Sequence, residues 1–181
     1  IQIAGRFKRF YAAAGIHPQE AESASDETIS KIECLLKNPK VRAVGEIGLD
    51  FHYTPETADA QIRLFRAQLE LAAGLKLPVI VHSREADEPT LKELERHRQN
   101  WSGTADRIGV LHCFTGSLEF AKALLAMGYF ISFSGIVTFS NAAALRETAT
   151  AIPDDRLLIE TDSPFLAPVP YRGKQNEPAY L

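Results

Sequence analysis

Four short apolar runs of the sequence each lead into a side chain of a type that commonly binds metal ions. These side chains are Glu46, His82, His112 and Asp162. In a parallel sheet or barrel the carboxyl ends of the strands lie on one face, so side chains that end such runs are expected to meet there. Two imidazoles and two carboxylates are a suitable ligand set for a divalent transition metal. An ion held by them would lower the pKa of a bound water and polarise a substrate oxygen.

Each of these residues also has a simpler explanation. A single histidine at the end of a strand is often a partly buried side chain that hydrogen-bonds to backbone groups. Glu46 is harder to explain in this way, because a carboxylate in a buried strand needs a compensating charge. Gly45 and Gly48 stand next to it and permit a close backbone approach. The occurrence of four such endings in one chain favours a metal centre.

Three basic residues could bind an anionic substrate near these ligands. Arg84 follows His82 by two positions and could hold a phosphate with its planar guanidinium. Its alternative role is a surface salt bridge with Glu85 or Glu88. Arg172 and Lys174 could also meet an anion, and their alternative is a solvated basic turn. The sequence leaves both alternatives open.

Three further polar residues stand where their roles depend on the fold. His17 follows a predicted strand over residues 10–16 and precedes a proline, so it is expected on the same face as the candidate ligands. Asp50 either orients a ligand histidine or caps the turn after Gly48. His97 is expected on the exposed surface of a helix.

Strands and helices alternate along the chain with short connections. That order is typical of an α/β fold in which helices pack on a parallel sheet. The stretch Val41–Asp50 is expected to place Glu46 at the carboxyl end of a buried strand. Helical spacing of apolar residues and suitable capping residues define the helices between the strands. The first helix is predicted to begin at Ser25 or Asp26, and the second to cover residues 57–73 with Gly74 after its last turn. Three more helices are predicted over residues 85–98, after Ser117 and over residues 141–151.

The composition is that of an ordinary globular protein. The chain has 181 residues, of which 45% are hydrophobic, and a net charge of −3. The near-neutral charge argues against a strongly basic protein that wraps nucleic acid. Cys34 and Cys113 provide no disulfide framework, so a reducing compartment, the cytoplasm, is expected. No apolar run reaches the roughly 20 residues that a membrane span needs, and a membrane partner is not expected.

Taken together, the motifs resemble those of the TatD-type metal-dependent DNases, which belong to the amidohydrolase-like barrels. The resemblance follows the order and spacing of the motifs along nearly the whole chain. The matching stretches are Gly15-Ile16-His17-Pro18, Gly45-Glu46-Ile47-Gly48-Leu49-Asp50, Leu77-Pro78-Val79-Ile80-Val81-His82-Ser83-Arg84, Leu111-His112-Cys113-Phe114-Thr115-Gly116, Glu160-Thr161-Asp162-Ser163-Pro164 and Arg172-Gly173-Lys174-Gln175-Asn176-Glu177-Pro178.

This resemblance implies a (β/α)8 TIM-type barrel that binds one or two divalent ions, Mg²⁺, Mn²⁺ or Zn²⁺. It implies that Glu46 is shared between two metals and that His82 and His112 bind one of them. Asp162 would bind the other metal and contact the attacking water. His17 would be a catalytic-site residue near the metals or a substrate phosphate. The implied reaction is hydrolysis of phosphodiester bonds in DNA, which makes DNA the expected partner.

The sequence departs from the family pattern at both ends. It has no His-x-His pair in a first strand, and it stops shortly after the Asn-Glu-Pro stretch. A TIM barrel takes about 250 residues, so an incomplete barrel is expected, without its first strand and its C-terminal closing elements. Residues 1–181 are expected to form a single hydrolase domain. Two alternatives to a DNase stay open: a related hydrolase of another ester or amide, and a truncated metal-binding barrel without activity.

Overall fold

The computed structural model describes all residues from 1 to 181, and its contacts divide the chain into two compact units. The N-terminal unit is Ile1–Gly109 and the C-terminal unit is Val110–Leu181. None of the helices combines the length with the apolar character that crossing a membrane requires.

The N-terminal unit contains three parallel strands in chain order, and helices connect them. In the register of the strands, Ala14 pairs with Val44 and Gly48 pairs with His82. Its core is formed by apolar side chains of the central strand and of the long helix that follows, including Val44, Ile47 and Phe65, which are completely buried. The elements are α1 (Gln2–Arg6), β1 (Ala12–Ala14), α2 (Asp26–Leu36), β2 (Val41–Asp50), α3 (Ala58–Leu75), β3 (Val79–Arg84) and α4 (Asp87–Asn100).

The C-terminal unit repeats the alternation of parallel strands and helices. Leu111 of its first strand pairs with Ile131, and Ile131 pairs in turn with Leu157. The tail from residue 163 onwards is almost entirely loop, as the prolines predict. The elements are β4 (Gly109–Leu111), which begins at the boundary between the units, α5 (Leu118–Ala126), β5 (Phe130–Phe133), α6 (Ala143–Thr150) and β6 (Leu157–Ile159).

The predicted start of α2 is confirmed. The hydroxyl of Ser25 accepts a hydrogen bond from the Thr28 N–H at 3.3 Å, and the Thr28 hydroxyl accepts one from the Ser25 N–H at 3.4 Å. This reciprocal capping box satisfies donors that the first turn of a helix leaves open. Ser117 caps α5 in a similar way, because its hydroxyl accepts the Phe120 N–H at 3.1 Å.

The predicted end of α3 is wrong. Gly74 lies inside the helix, and the left-handed residue after the last turn is Lys76, with φ of 55°. Glycine is favoured in that conformation, but a lysine can adopt it when the helix end is held by other hydrogen bonds. Here the Leu77 N–H donates to the carbonyl of Ala72 at 3.1 Å.

The ends of two strands also differ from the prediction. β2 continues four residues beyond Glu46 to Asp50, and β3 continues beyond His82 to Arg84. Glu46 therefore lies within the carboxyl half of its strand and not at its tip. Continued pairing explains the difference, because Asp50 is in register with Arg84 at the last position of both strands.

His97 is buried against the prediction of an exposed helix position. Only 3% of the residue is exposed, and its ring centroid lies 5.5 Å from that of Trp101. It lines a small cavity between α3 and α4, where Arg66 and Glu93 form a salt bridge. Burial lowers the pKa of His97 to about 4, because desolvation penalises the charged imidazolium.

We expect the buried histidine to make stability depend on pH. The imidazole of the unfolded chain takes up a proton near pH 6.5, whereas the folded form resists protonation down to about pH 4. The unfolded state therefore binds more protons in this range, and the free energy of unfolding should fall by about 2 to 3 kcal/mol between pH 7 and pH 4. Urea unfolding as a function of pH measures this loss.

Substitution of the histidine isolates its contribution. His97→Gln should flatten the pH dependence by the same amount relative to the parent chain. Gln99→Ala, at an exposed and uncharged position of the same helix, serves as the control and should leave the slope unchanged. Equal slopes for the parent chain and His97→Gln would contradict the expectation.

Candidate functional site

Three side chains of the N-terminal unit form one cluster of potential metal ligands. They are His17, from the loop after β1, Glu46 of β2 and His82 of β3, and their ligand atoms all lie within 4.8 Å of one another. Glu46 Oε1 lies 3.1 Å from His82 Nδ1 and 3.4 Å from His17 Nε2. The two imidazole rings meet edge to face, with centroids 4.9 Å apart. An acid and two imidazoles at these distances are a reasonable donor set for one divalent ion.

Asp50 holds the other nitrogen of His82. Its Oδ2 lies 3.1 Å from His82 Nε2, and its Oδ1 accepts the backbone N–H of Tyr53 at 2.9 Å. Burial opposes ionisation of this carboxyl, but the hydrogen bonds from Tyr53, Gln19 and His82 outweigh burial and lower the pKa of Asp50. An ionised Asp50 favours a proton on His82 Nε2, so Nδ1, beside Glu46, carries the lone pair that a metal ligand needs.

The hydrogen bonds of His17 favour a different role. Its Nδ1 accepts the Gln19 N–H at 3.3 Å, at the start of a short 3-10 turn. A neutral imidazole that accepts at Nδ1 carries its proton on Nε2, which faces Glu46. In this tautomer His17 is a hydrogen-bond donor to Glu46 or to another oxygen in the cluster.

Two glycines allow the strands to approach each other at this cluster. Gly48 has φ of 142°, and a Cβ there would overlap the carbonyl oxygen of its register partner His82. At Gly45 a Cβ would lie 2.6 Å from the Cβ of Ile80. Because β2 cannot carry side chains at these positions, glycine is required for Glu46 and His82 to come together.

Two buried glutamines of α3 hold the backbone that carries the cluster. Gln68 Oε1 accepts the Ile16 N–H at 2.7 Å, and its Nε2 donates to the Ile16 carbonyl at 3.0 Å. Gln61 does the same for Asp50, where its Oε1 accepts the N–H at 2.7 Å and its Nε2 donates to the carbonyl at 3.0 Å. Ile16 directly precedes His17, and Asp50 contacts His82, so both glutamines anchor residues that adjoin the cluster.

The C-terminal unit contains a second cluster, made of His112, Glu160 and Asp162, with ligand atoms that also lie within 4.8 Å of one another. His112 Nδ1 lies 3.1 Å from Glu160 Oε1, which also accepts the Cys113 N–H at 2.9 Å. Burial opposes ionisation of Glu160, but the hydrogen bonds from His112, Ser132 and Cys113 lower its pKa. The carboxylate favours a proton on His112 Nδ1, so Nε2 carries the lone pair.

Asp162 occupies a strained backbone position that the tail supports. Its φ of 54° is left-handed, a region in which aspartate is tolerated better than most residues. The side chain of Asn176, which is almost completely buried, donates to the carbonyl of the preceding Thr161 at 2.5 Å. The Asn176 N–H donates to the Pro164 carbonyl at 3.0 Å, so the tail fastens the chain on both sides of Asp162.

The three basic residues singled out by sequence lie over aromatic rings. Arg84 lies over Tyr53, with Cζ 4.6 Å from the ring centroid, and Glu85 pairs with His52 and not with Arg84. In the C-terminal unit, Arg172 lies over Phe139 at 4.2 Å and Lys174 over Tyr171 at 5.7 Å.

The structure thus brings the predicted ligands together in pairs within each unit. Glu46 and His82 meet in the first unit, and His112 and Asp162 in the second. The prediction that all four share one centre stays a prediction. Sequence analysis left Glu160 out of the ligand set, although its place in the same short stretch as Asp162 could have indicated it.

A model of the family described as "TatD related DNase" matches residues 1–181. Among curated proteins, the chain is 44% identical to "Uncharacterized metal-dependent hydrolase YabD" of Bacillus subtilis, over 94% of the chain and 65% of that protein. It is 40% identical to the "3'-5' ssDNA/RNA exonuclease TatD" of Erwinia billingiae, over 94% of the chain and 66% of that protein. The chain spans just under two thirds of the length of these relatives.

Solved structures show the same fold. The TatD homologue YjjV of Escherichia coli K12 matches with a TM-score of 0.88 and 36% identity, over 98% of this chain and 67% of the other. This similarity confirms the predicted class, a parallel α/β fold of the TatD barrel type.

The buried glutamine hydrogen bonds provide a test of the site's framework. Gln61→Leu keeps a side chain of similar size but leaves the buried N–H and carbonyl of Asp50 without these partners. We expect the free energy of unfolding to fall by about 2 to 4 kcal/mol. Arg63→Ala, on the exposed face of the same helix, is the control and should change it by about 0.5 kcal/mol or less. Urea denaturation measures both, and a loss no larger for Gln61→Leu than for the control would show that these bonds contribute nothing.

Proposed function

Because this chain belongs to the TatD related DNase family, we propose that it provides the metal-dependent site of a deoxyribonuclease that hydrolyses phosphodiester bonds in DNA. One observation carries the proposal. His82 and His112 are each held at one ring nitrogen by a buried or half-buried carboxylate, Asp50 or Glu160, and each belongs to a cluster with a further carboxylate. This is the arrangement that prepares an imidazole to bind a metal ion.

The proposed metal ligands are Glu46 and His82 in the N-terminal unit and His112 and Asp162 in the C-terminal unit. When bound, a divalent cation lowers the pKa of a coordinated water and polarises a phosphoryl oxygen. Imidazole donors suit Zn²⁺, and carboxylate donors suit Mn²⁺ and Mg²⁺. The mixed set of nitrogen and oxygen atoms therefore favours Zn²⁺ or Mn²⁺ over Mg²⁺.

Two residues are proposed to act directly on the reacting groups. The Asp162 carboxylate accepts a hydrogen bond from the attacking water and takes up its proton. The water oxygen then bonds to phosphorus, the bond from phosphorus to the leaving sugar oxygen breaks, and Asp162 returns the proton to that oxygen. His17 donates its Nε2 proton in a hydrogen bond to a phosphate oxygen, as its tautomer allows.

The proposed substrate is DNA, with RNA as a second nucleic-acid substrate. The family name supports DNA, and the name of the Erwinia billingiae relative includes both single-stranded DNA and RNA. We place the reaction in the cytoplasm, where Cys34 and Cys113, both free of disulfides, would stay reduced.

The positions of two basic residues favour a second candidate function, the hydrolysis of another ester or an amide. Arg172 and Lys174 lie over aromatic rings and not in ion pairs with Glu160 or Asp162. Because neither cation forms an ion pair with a proposed metal ligand, a phosphate gains less over a neutral carbonyl substrate, and metal-activated water attacks both.

We expect the full chain to cleave single-stranded DNA in Mn²⁺ and to stop in EDTA. Glu46→Gln removes a proposed ligand and its charge, and the cleavage rate should fall about a hundredfold or more. Glu22→Gln, at an exposed acid of the same unit, is the control and should keep the parental rate. Release of labelled nucleotides measures the rate.

Two results would exclude the proposed DNase activity. One is full cleavage by Glu46→Gln. The other is hydrolysis of p-nitrophenyl acetate by the parent chain without hydrolysis of bis-p-nitrophenyl phosphate or DNA, which would support the second candidate.

Loss of the carboxylate behind His82 should weaken metal binding. Asp50→Asn keeps the shape of the side chain but removes the charge that favours a proton on Nε2. The affinity for Mn²⁺ should fall about 10- to 100-fold, as measured by isothermal titration calorimetry. Asp59→Asn, at an exposed position of α3, is the control and should bind Mn²⁺ like the parent. Equal affinities for Asp50→Asn and the parent would refute the orienting role.

A further inference from the structure

Tyr53 presents an exposed aromatic ring beside the N-terminal cluster. The residue is 59% exposed, and the guanidinium carbon of Arg84 lies 4.6 Å from its ring centroid. His52 approaches the ring edge to face, with centroids 4.8 Å apart and planes at 81°. A large aromatic side chain with this exposure and a cation on its ring has no part in the hydrophobic core.

The register of the strands places this pair next to the proposed metal ligands. His82 and Arg84 are two positions apart in β3, so their side chains leave the same face of the strand. Asp50 connects the two features, since its Oδ2 contacts His82 and its Oδ1 accepts the Tyr53 N–H at 2.9 Å. The pair of Tyr53 and Arg84 therefore stands one step beyond the cluster, toward the carboxyl ends of β2 and β3.

The contacts of Arg84 leave its hydrogen-bonding capacity for a ligand. Stacking on Tyr53 engages the face of the guanidinium, whereas its N–H donors point along the edge of the plane. The neighbouring acid Glu85 pairs with His52 at 2.6 Å. A guanidinium that is held in place by a ring and not by a carboxylate keeps its charge for an incoming anion such as a phosphate.

We propose that Tyr53 and Arg84 form a subsite that binds one unpaired nucleotide of the substrate. The base stacks on the exposed part of the Tyr53 ring, and the adjoining phosphate accepts hydrogen bonds from Arg84. Aromatic stacking of this kind accepts any base but requires the base to be unstacked from its neighbours, so the subsite accepts a single strand and not a duplex. This inference rests on the proposed function and assigns Tyr53 and Arg84 to the contact with one nucleotide of that substrate.

The chain offers a matched control ring. Tyr11 is 57% exposed, and the guanidinium carbon of Arg42 lies 5.1 Å from its ring centroid. Tyr11 precedes β1, and Arg42 is the second residue of β2, so this pair lies at the amino ends of the strands. It has the same chemistry as the proposed subsite at the end of the strands away from Glu46.

The experiment compares two oligomers of six units with the same phosphates, a hexathymidylate and its abasic tetrahydrofuran counterpart. Binding of fluorescein-labelled oligomers to the full chain is measured by anisotropy in EDTA, so that no cleavage occurs. Tyr53→Leu should weaken binding of the hexathymidylate about tenfold, as expected for one lost stacking contact, and leave the abasic oligomer unchanged. Tyr53→Trp should restore binding, and Tyr11→Leu should affect neither oligomer.

Further variants distinguish base stacking on Tyr53 from the phosphate contact of Arg84, and the nucleotide subsite from the proposed nuclease. Arg84→Gln should weaken binding of both oligomers, because both carry the phosphate. Parental binding of the hexathymidylate by Tyr53→Leu, or equal losses for the two oligomers, would overturn the subsite. Absence of cleavage in Mn²⁺ by the parent chain, with the base-dependent loss at Tyr53 still present, would overturn the proposed nuclease and keep the nucleotide subsite.

Discussion

A hydrogen bond from an imidazole to a carboxylate is the interaction on which both clusters depend. In one unit Asp50 holds His82, and in the other Glu160 holds His112. In each case hydrogen bonds outweigh burial and lower the pKa of the carboxyl. An ionised carboxylate decides which ring nitrogen carries the proton, and so it decides which nitrogen has a lone pair to offer. The Asp50–His82 pair and the Glu160–His112 pair have no residue in common, and in each pair the carboxylate determines the position of the ring proton.

The sequence alone predicts the alternation of parallel strands and helices. It also predicts Glu46, His82, His112 and Asp162 among the residues of the two clusters. Apolar runs separated by helical patterns predict parallel strands, and the carboxyl halves of parallel strands lie on one face. This geometry predicts the proximity of Glu46 and His82 that the structure shows. It does not tell which of the two carboxylates that follow Leu157–Ile159 contacts His112. That depends on the folded chain, in which Glu160 lies 3.1 Å from His112. The sequence also does not predict where β2 ends, because its pairing beyond Glu46 depends on the register with β3.

The helical spacing of apolar residues does not predict burial at positions that carry a polar side chain. The apolar pattern of α3 predicts a buried face of Ile62, Phe65, Leu69 and Ala72. The last three are buried and Ile62 is half-buried, but the pattern does not include the buried Gln61 and Gln68. These glutamines are seven residues apart, so they lie on the same face of the helix and inside its buried stripe. A buried amide must find a donor and an acceptor, and a backbone peptide offers both. A polar residue that repeats at such spacing within an apolar stripe therefore indicates that a helix holds a neighbouring loop or strand end.

The partner of an arginine distinguishes a charge that can bind a substrate from one that only stabilises the fold. Arg66 forms two hydrogen bonds with the buried Glu93, at 2.9 and 2.6 Å, so its charge is already compensated within the protein. Arg84 is instead positioned by the aromatic ring of Tyr53. A ring orients a guanidinium without neutralising it, because the attraction comes from the quadrupole and not from a counter-charge. Arginines placed in this way still gain by meeting a phosphate, and the lack of a carboxylate beside them is what makes them suitable for binding an anion.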